Sequence, residues 1–189
     1  MDLVPSPTEY EKAYHEGWRA AVGLSRALQD GASLPTQPTN LVLSPGESFI
    51  CALELDVAAY YGVDLELRSS FFAFGSTWTG LAVTAGASML WNKHQQNKAQ
   101  TQAAAQWRAL GRVSVQIATR RIVVPIDDQL RTFFVPDDIV AFEPLYSDYS
   151  MILHADACPP LAMRGPGAPY LAVILHTLLR GTPPQLTSG

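Results

Sequence analysis

Phe49-Ile50-Cys51-Ala52-Leu53-Glu54-Leu55-Asp56-Val57-Ala58-Ala59-Tyr60-Tyr61 is the stretch on which the fold turns. Phe49, Cys51, Leu53, Leu55, Val57, Ala59 and Tyr61 alternate with a side that includes Glu54 and Asp56. Successive side chains of a strand point to opposite faces, so this period of two predicts a long strand with one covered and one wet face. Leu41-Val42-Leu43 and a turn at Ser44-Pro45-Gly46-Glu47 precede it. After a bend near residues 58–62, Val63, Leu65 and Leu67 continue on one face.

Working outward, a second alternating series begins after Gly111. It runs through Val113, Val115 and Ile117, then Ile122 to Ile126, Leu130 to Val135, Ile139 to Phe142, Met151 to Ala155 and Leu161 to Met163. Asp127-Asp128 and Pro136-Asp137-Asp138 mark turns, where aspartate bonds its own backbone. Short strands joined by short turns predict an antiparallel meander rather than βαβ units. Two helices flank it. Ser6-Pro7-Thr8-Glu9 has the capping-box form. Tyr10, Tyr14, Trp18, Ala21, Ser25 and Leu28 then recur at helical spacing up to a stop at Gly31. Gly165-Pro166-Gly167-Ala168-Pro169 opens an apolar helix through Tyr170, Val173, Ile174 and Leu178 that ends at Gly181.

The predicted fold class is thus α+β: an antiparallel barrel or curled sheet with an N-terminal helix and a C-terminal capping helix. Leu43-Ser44-Pro45-Gly46-Glu47, Gly111-Arg112-Val113-Ser114-Val115 leading to Thr119-Arg120-Arg121-Ile122, and the closing helix carry a resemblance to a known family. The chain resembles the pleckstrin-homology-like (PH-like) superfold and, within it, the GRAM-like domains of bacterial proteins; its whole-chain character is similar to that of actinobacterial proteins. The likeness covers about residues 41–181, and it implies a binding platform for lipid headgroups or protein segments, without chemistry of its own. On this reading residues 1–40 are a helix and linker, residues 41–181 the PH-like domain, and residues 182–189 a flexible tail.

One segment departs from a minimal domain of this kind. Residues 69–110 form an insertion whose first half, Phe71 to Trp91, contains no charged residue. Asn92 to Lys98 follows, and Ala99, Ala103, Trp107 and Leu110 then fall at helical spacing, which predicts a long helix or helical hairpin over about residues 78–109. Around it lies a segregation of charge. Residues 67–126 hold Arg68, Lys93, Lys98, Arg108, Arg112, Arg120 and Arg121 and no acid, whereas the rest of the chain sets all 17 acids against six bases. The net charge of −4 argues against general nucleic-acid binding.

Three readings of the insertion follow. It packs on the barrel with its bases as a wet face. Alternatively, Phe71, Phe72, Phe74, Trp78 and Trp91 meet a membrane interface while Arg68, Lys93 and Lys98 meet anionic lipid. In the third, the same surface binds a partner or a second copy of the chain. Arg120 and Arg121, at alternate strand positions, fall on opposite faces, which offers one arginine to a ligand phosphate and one to a structural carboxylate; a structural role for both is the preferred reading.

The remaining candidates for chemistry are few. His154, Asp156 and Cys158 alternate along a possible strand and point to one side, the arrangement a metal site or an enzyme site would use; ordinary sheet-end residues are the preferred reading. Gly165-Pro166-Gly167 beside Arg164 is read as a strand-to-helix turn rather than an anion site. Cys51 and Cys158, two isolated thiols, point to a reduced, cytoplasmic setting, as does an N-terminus without a secretory pattern. The expected protein is a non-enzymatic binding or scaffold module without a cofactor or metal. It docks on the inner face of the cell membrane or in a protein assembly, with self-association through the insertion as the alternative.

Overall fold

The structure is a computed structural model that describes residues 7–61, 106–126, 129–156 and 158–186. Helix α1 spans Pro7–Gln29. The strands are β1 (Phe49–Tyr61), β2 (Gln106–Ala118), β3 (Arg121–Ile126), β4 (Gln129–Phe134), β5 (Ile139–Leu145), β6 (Ser150–Ala155) and β7 (Cys158–Arg164), and α2 spans Ala168–Arg180. The seven strands form one antiparallel sheet in the order β4-β3-β2-β1-β7-β6-β5, curled into a half-barrel with the two helices packed together beside it. Strand β1 is the centre of that sheet, paired to β2 along its length and to β7 over residues 56–59.

The inner face of β1 is the face the alternation predicts. Leu55, Val57, Ala59 and Tyr61 are buried, and on the next strands Val115, Ile117, Ile122, Val124, Met151, Leu153, Leu161 and Met163 meet them. Helix α2 closes this core with Leu171, Ile174 and Leu175, all fully buried. Each such side chain contributes about 1.5–3 kcal/mol by leaving water. Helix α1 buries Ala21, Ser25 and Leu28 of its predicted stripe, and with them Val22 and Leu24, which lie outside that stripe. Farther out, Tyr14 stacks edge-on to Tyr149 at 4.6 Å, and Trp18 lies 6.1 Å from Tyr146.

The helix stops fall where glycine predicts them. Gly31 and Ala32 donate to the carbonyls of Leu28 and Ala27, and Gly181 donates to that of Thr177. Past α2, the carbonyl of Pro184 accepts from Ser25 Oγ and Gln29 Nε2, so the first tail residues lie against α1.

Two local features differ from the sequence expectation. Gln106 to Leu110 belongs to β2, not to a helix: Trp107 faces Tyr60, and Arg108 faces Ala59. The spacing of Trp107 and Leu110 fits a helix equally well, but cross-strand pairing to the end of β1 decides the outcome. The rest of the predicted helical insertion lies outside the described residues. The β1–β2 ladder also shifts register between Val57 and Ala58, at the point where Gly111 has φ +104°. That backbone state suits glycine and lets the ribbon bend by one inserted residue.

Candidate functional site

Eight of the ten residues proposed from sequence as a docking surface, Arg68, Phe71, Phe72, Phe74, Trp78, Trp91, Lys93 and Lys98, lie outside the described residues. Arg120 and Arg121 do not share a strand. Arg120 sits exposed in the bend between β2 and β3, and Arg121 opens β3. Arg121 Nε stands 3.0 Å from Glu47 Oε1, with only 1% of the Glu47 side chain exposed. The contact is an ion pair without an aligned N–H···O bond. Arg121 Nη2 donates to the Val42 carbonyl, and Glu47 Oε2 accepts the Ser44 amide at 2.8 Å. Pro45 and Gly46, the latter at φ +76°, form the turn that folds Glu47 back under this arginine. Arg121 therefore pins the segment before β1 to the sheet.

The outer face of the β1–β2 ribbon has a different character. Tyr60 falls on the same side of β1 as Glu54 and Asp56, yet its ring packs on Trp107 at 5.3 Å. The two rings remain 41% and 43% exposed. Beside Trp107 runs a groove of about 560 Å³. Its floor is made of the small residues Ala58, Ala109 and Ala162, and Leu145 and Ile152 line it across from Trp107. Its polar end holds Asp56, which stands opposite Arg112 in one register and Arg164 in the other. Arg108 turns the other way, with its guanidinium 5.2 Å from the Tyr61 ring centre. The sequence assigned Trp107 to a helix stripe and placed none of Tyr60, Trp107, Leu145 or Ile152 in a binding surface. The available signal was Tyr60, a large aromatic on the side of β1 that carries the acids.

On the concave side a second pocket, of about 140 Å³, lies between the end of β1, the β3–β4 hairpin and the start of β7. Ala59, Leu110, Ile126, Phe133 and Leu161 give it an apolar wall, and Arg131, Asp138 and Cys158 line its polar part. Asp138 Oδ2 accepts the Phe134 amide at 2.8 Å, the local turn bond that aspartate supplies. The Cys158 thiol donates to the Pro159 carbonyl, and burial raises its pKa.

His154, Asp156 and Cys158 do not alternate on one strand. His154 lies one residue before the end of β6, Asp156 sits in the connecting turn and Cys158 starts β7, because the chain reverses between them. His154 Nε2 meets Glu143 Oε1 at 3.1 Å instead. Among the described residues no group of three or more His, Cys, Asp or Glu side chains is placed to hold a metal ion. Gly165-Pro166-Gly167 forms the strand-to-helix turn expected of it, and Gly167 packs its backbone on Leu53. Among the described residues no helix is long and apolar enough to cross a membrane. Neither family models, nor curated proteins, nor solved structures match the chain.

Proposed function

We propose that this chain is a non-enzymatic binding module on a PH-like half-barrel, and that it docks in a protein assembly by setting its outer sheet face against a second copy of itself. The observation that carries this reading is the half-exposed Tyr60–Trp107 pair flanking an apolar groove with a floor of alanines. Exposed aromatics beside a concave apolar surface are the residues that anchor protein interfaces. Asp56 and Arg164 at one end of the groove carry opposite charges, so a two-fold arrangement brings the arginine of each copy to the aspartate of the other. The curled antiparallel sheet with a helix on its core has a coarse likeness to a PH-like fold, and the function proposed for it rests on the groove, since a fold by itself does not imply a function.

A second reading rests on a separate observation, the acid-free run of residues 67–126 with its seven bases. This run favours docking at an anionic membrane, where each base contributes about 1 kcal/mol and Trp and Tyr sit at the headgroup level. Trp107→Glu tests both readings, with the melting curve as a check on folding. Concentration-dependent light scattering that rises to a dimer in the parent and stays monomeric in Trp107→Glu supports self-association. Flotation with anionic but not neutral vesicles, lost in Trp107→Glu, supports the membrane. A monomer that floats with neither vesicle overturns both.

A further inference from the structure

The concave pocket is separate from the outer face and has its own chemistry. The described residues line a half-open pocket of about 140 Å³ here. Five different strands contribute its wall: Ala59 from β1, Leu110 from β2, Ile126 from β3, Phe133 from β4 and Leu161 from β7. An enclosed apolar cavity of roughly 150 Å³ accepts a molecule the size of benzene, so a ligand of that size matches the volume here, with one side of it left open to water.

Its polar part is balanced. Arg131 and Asp138, both in the lining, carry opposite charges, so neither a free carboxylate nor a free ammonium group meets a net opposite charge. The Asp138 carboxylate already accepts the Phe134 amide, and the Cys158 thiol already donates to the Pro159 carbonyl. What remains is a half-open apolar pocket that also carries hydrogen-bonding groups.

We infer that this pocket is a binding site for a small uncharged molecule of single-ring size, largely apolar, with at most one hydroxyl or amide group turned toward Arg131 and Asp138. This site is independent of the docking face, because none of the groove residues around Tyr60 and Trp107 lines it. Cys158 lies in the wall, and a bound molecule stands between its thiol and solvent.

The test uses the full chain with benzene and phenol as neutral probes and benzoate as the charged counterpart, followed by amide correlation spectra and by alkylation of Cys158 with N-ethylmaleimide. The expected result is a set of shifts confined to the strand ends around Ala59, Leu110, Ile126, Phe133 and Leu161. With probe at about ten times its Kd, alkylation of Cys158 slows by roughly tenfold, in proportion to the free pocket remaining. Ala59→Leu fills the chamber and abolishes both effects; Leu161→Phe serves the same purpose if the first variant fails to fold. Absence of saturable binding by either neutral probe, shifts centred on Trp107 instead, binding retained in a folded filled variant, or benzoate binding more tightly than phenol overturns the inference.

Discussion

Gly17 and Gly23 both stand within α1, where glycine in a helix costs about 1 kcal/mol relative to alanine. By propensity alone, alanine at either position stabilises. Packing separates them. A Cβ at Gly17 falls inside the contact radius of the Pro166 carbonyl oxygen and 2.7 Å from its carbon, whereas a Cβ at Gly23 meets nothing within 4 Å. The turn that launches α2 approaches α1 so closely that only glycine fits between them. Gly17→Ala is expected to destabilise by about 2 kcal/mol, since overpacking exceeds the gain in propensity. Gly23→Ala is expected to stabilise by roughly 0.5–1 kcal/mol. Urea denaturation of the two variants checks the opposite signs, and equal signs would show that the helices slide apart freely.

The Glu47–Arg121 pair joins elements rather than residues. It ties the turn before β1 to the first residue of β3, and Thr119 reinforces the tie: its Oγ1 accepts the Ser48 amide at 3.0 Å while its own amide donates to the Ser48 carbonyl. A carboxylate this deeply covered depends on its partner. Arg121→Met leaves the Glu47 charge covered and unpaired, which is expected to cost about 3 kcal/mol. Adding Glu47→Gln removes the stranded charge and recovers part of that loss. A double variant as unstable as the single one, measured by equilibrium unfolding, would mean that the pair contributes through shape and not through charge. At the same scale, β2 shows why a local pattern misleads. Residues 106–110 read as the end of a helix, and their partners on β1 are what hold them extended.

Over the whole molecule, burial raises several acidic groups together. The Cys51 thiol is pushed up to about 11 by desolvation. Tyr14 is raised to about 12, first by burial and then by its hydrogen bond to Tyr10. Burial also raises Tyr146 and Tyr170. In each case the folded pKa lies above the unfolded one, so the folded state keeps protons that the unfolded chain has lost. Stability is therefore full below the ordinary thiol value of 9.0 and declines as pH rises from there through about 11. The urea midpoint is expected to be flat up to that value and to fall beyond it. Cys51→Val is expected to remove part of the earliest fall, the raised Cys158 thiol supplying the rest; a midpoint that rises with alkaline pH contradicts the assignment.

Much of this architecture is legible in the sequence because strand and helix periods depend on the order of side chains alone. Phe49 to Tyr61, the strands after Gly111, the turn at Pro136-Asp137-Asp138 and the stops at Gly31 and Gly181 are local in this sense. The candidate surfaces are not. Tyr60 meets Trp107 and Asp56 meets Arg164 only because a central strand takes partners from residues 106–118 on one side and 158–164 on the other. The concave pocket likewise needs five strands to curl together. By itself the sequence determined the α+β class, the strand faces and the ends of both helices, since these follow from spacing along the chain. Which side chains share a groove, which arginine is tied down and where glycine is irreplaceable were decided by tertiary structure, because each depends on contacts between segments far apart in sequence.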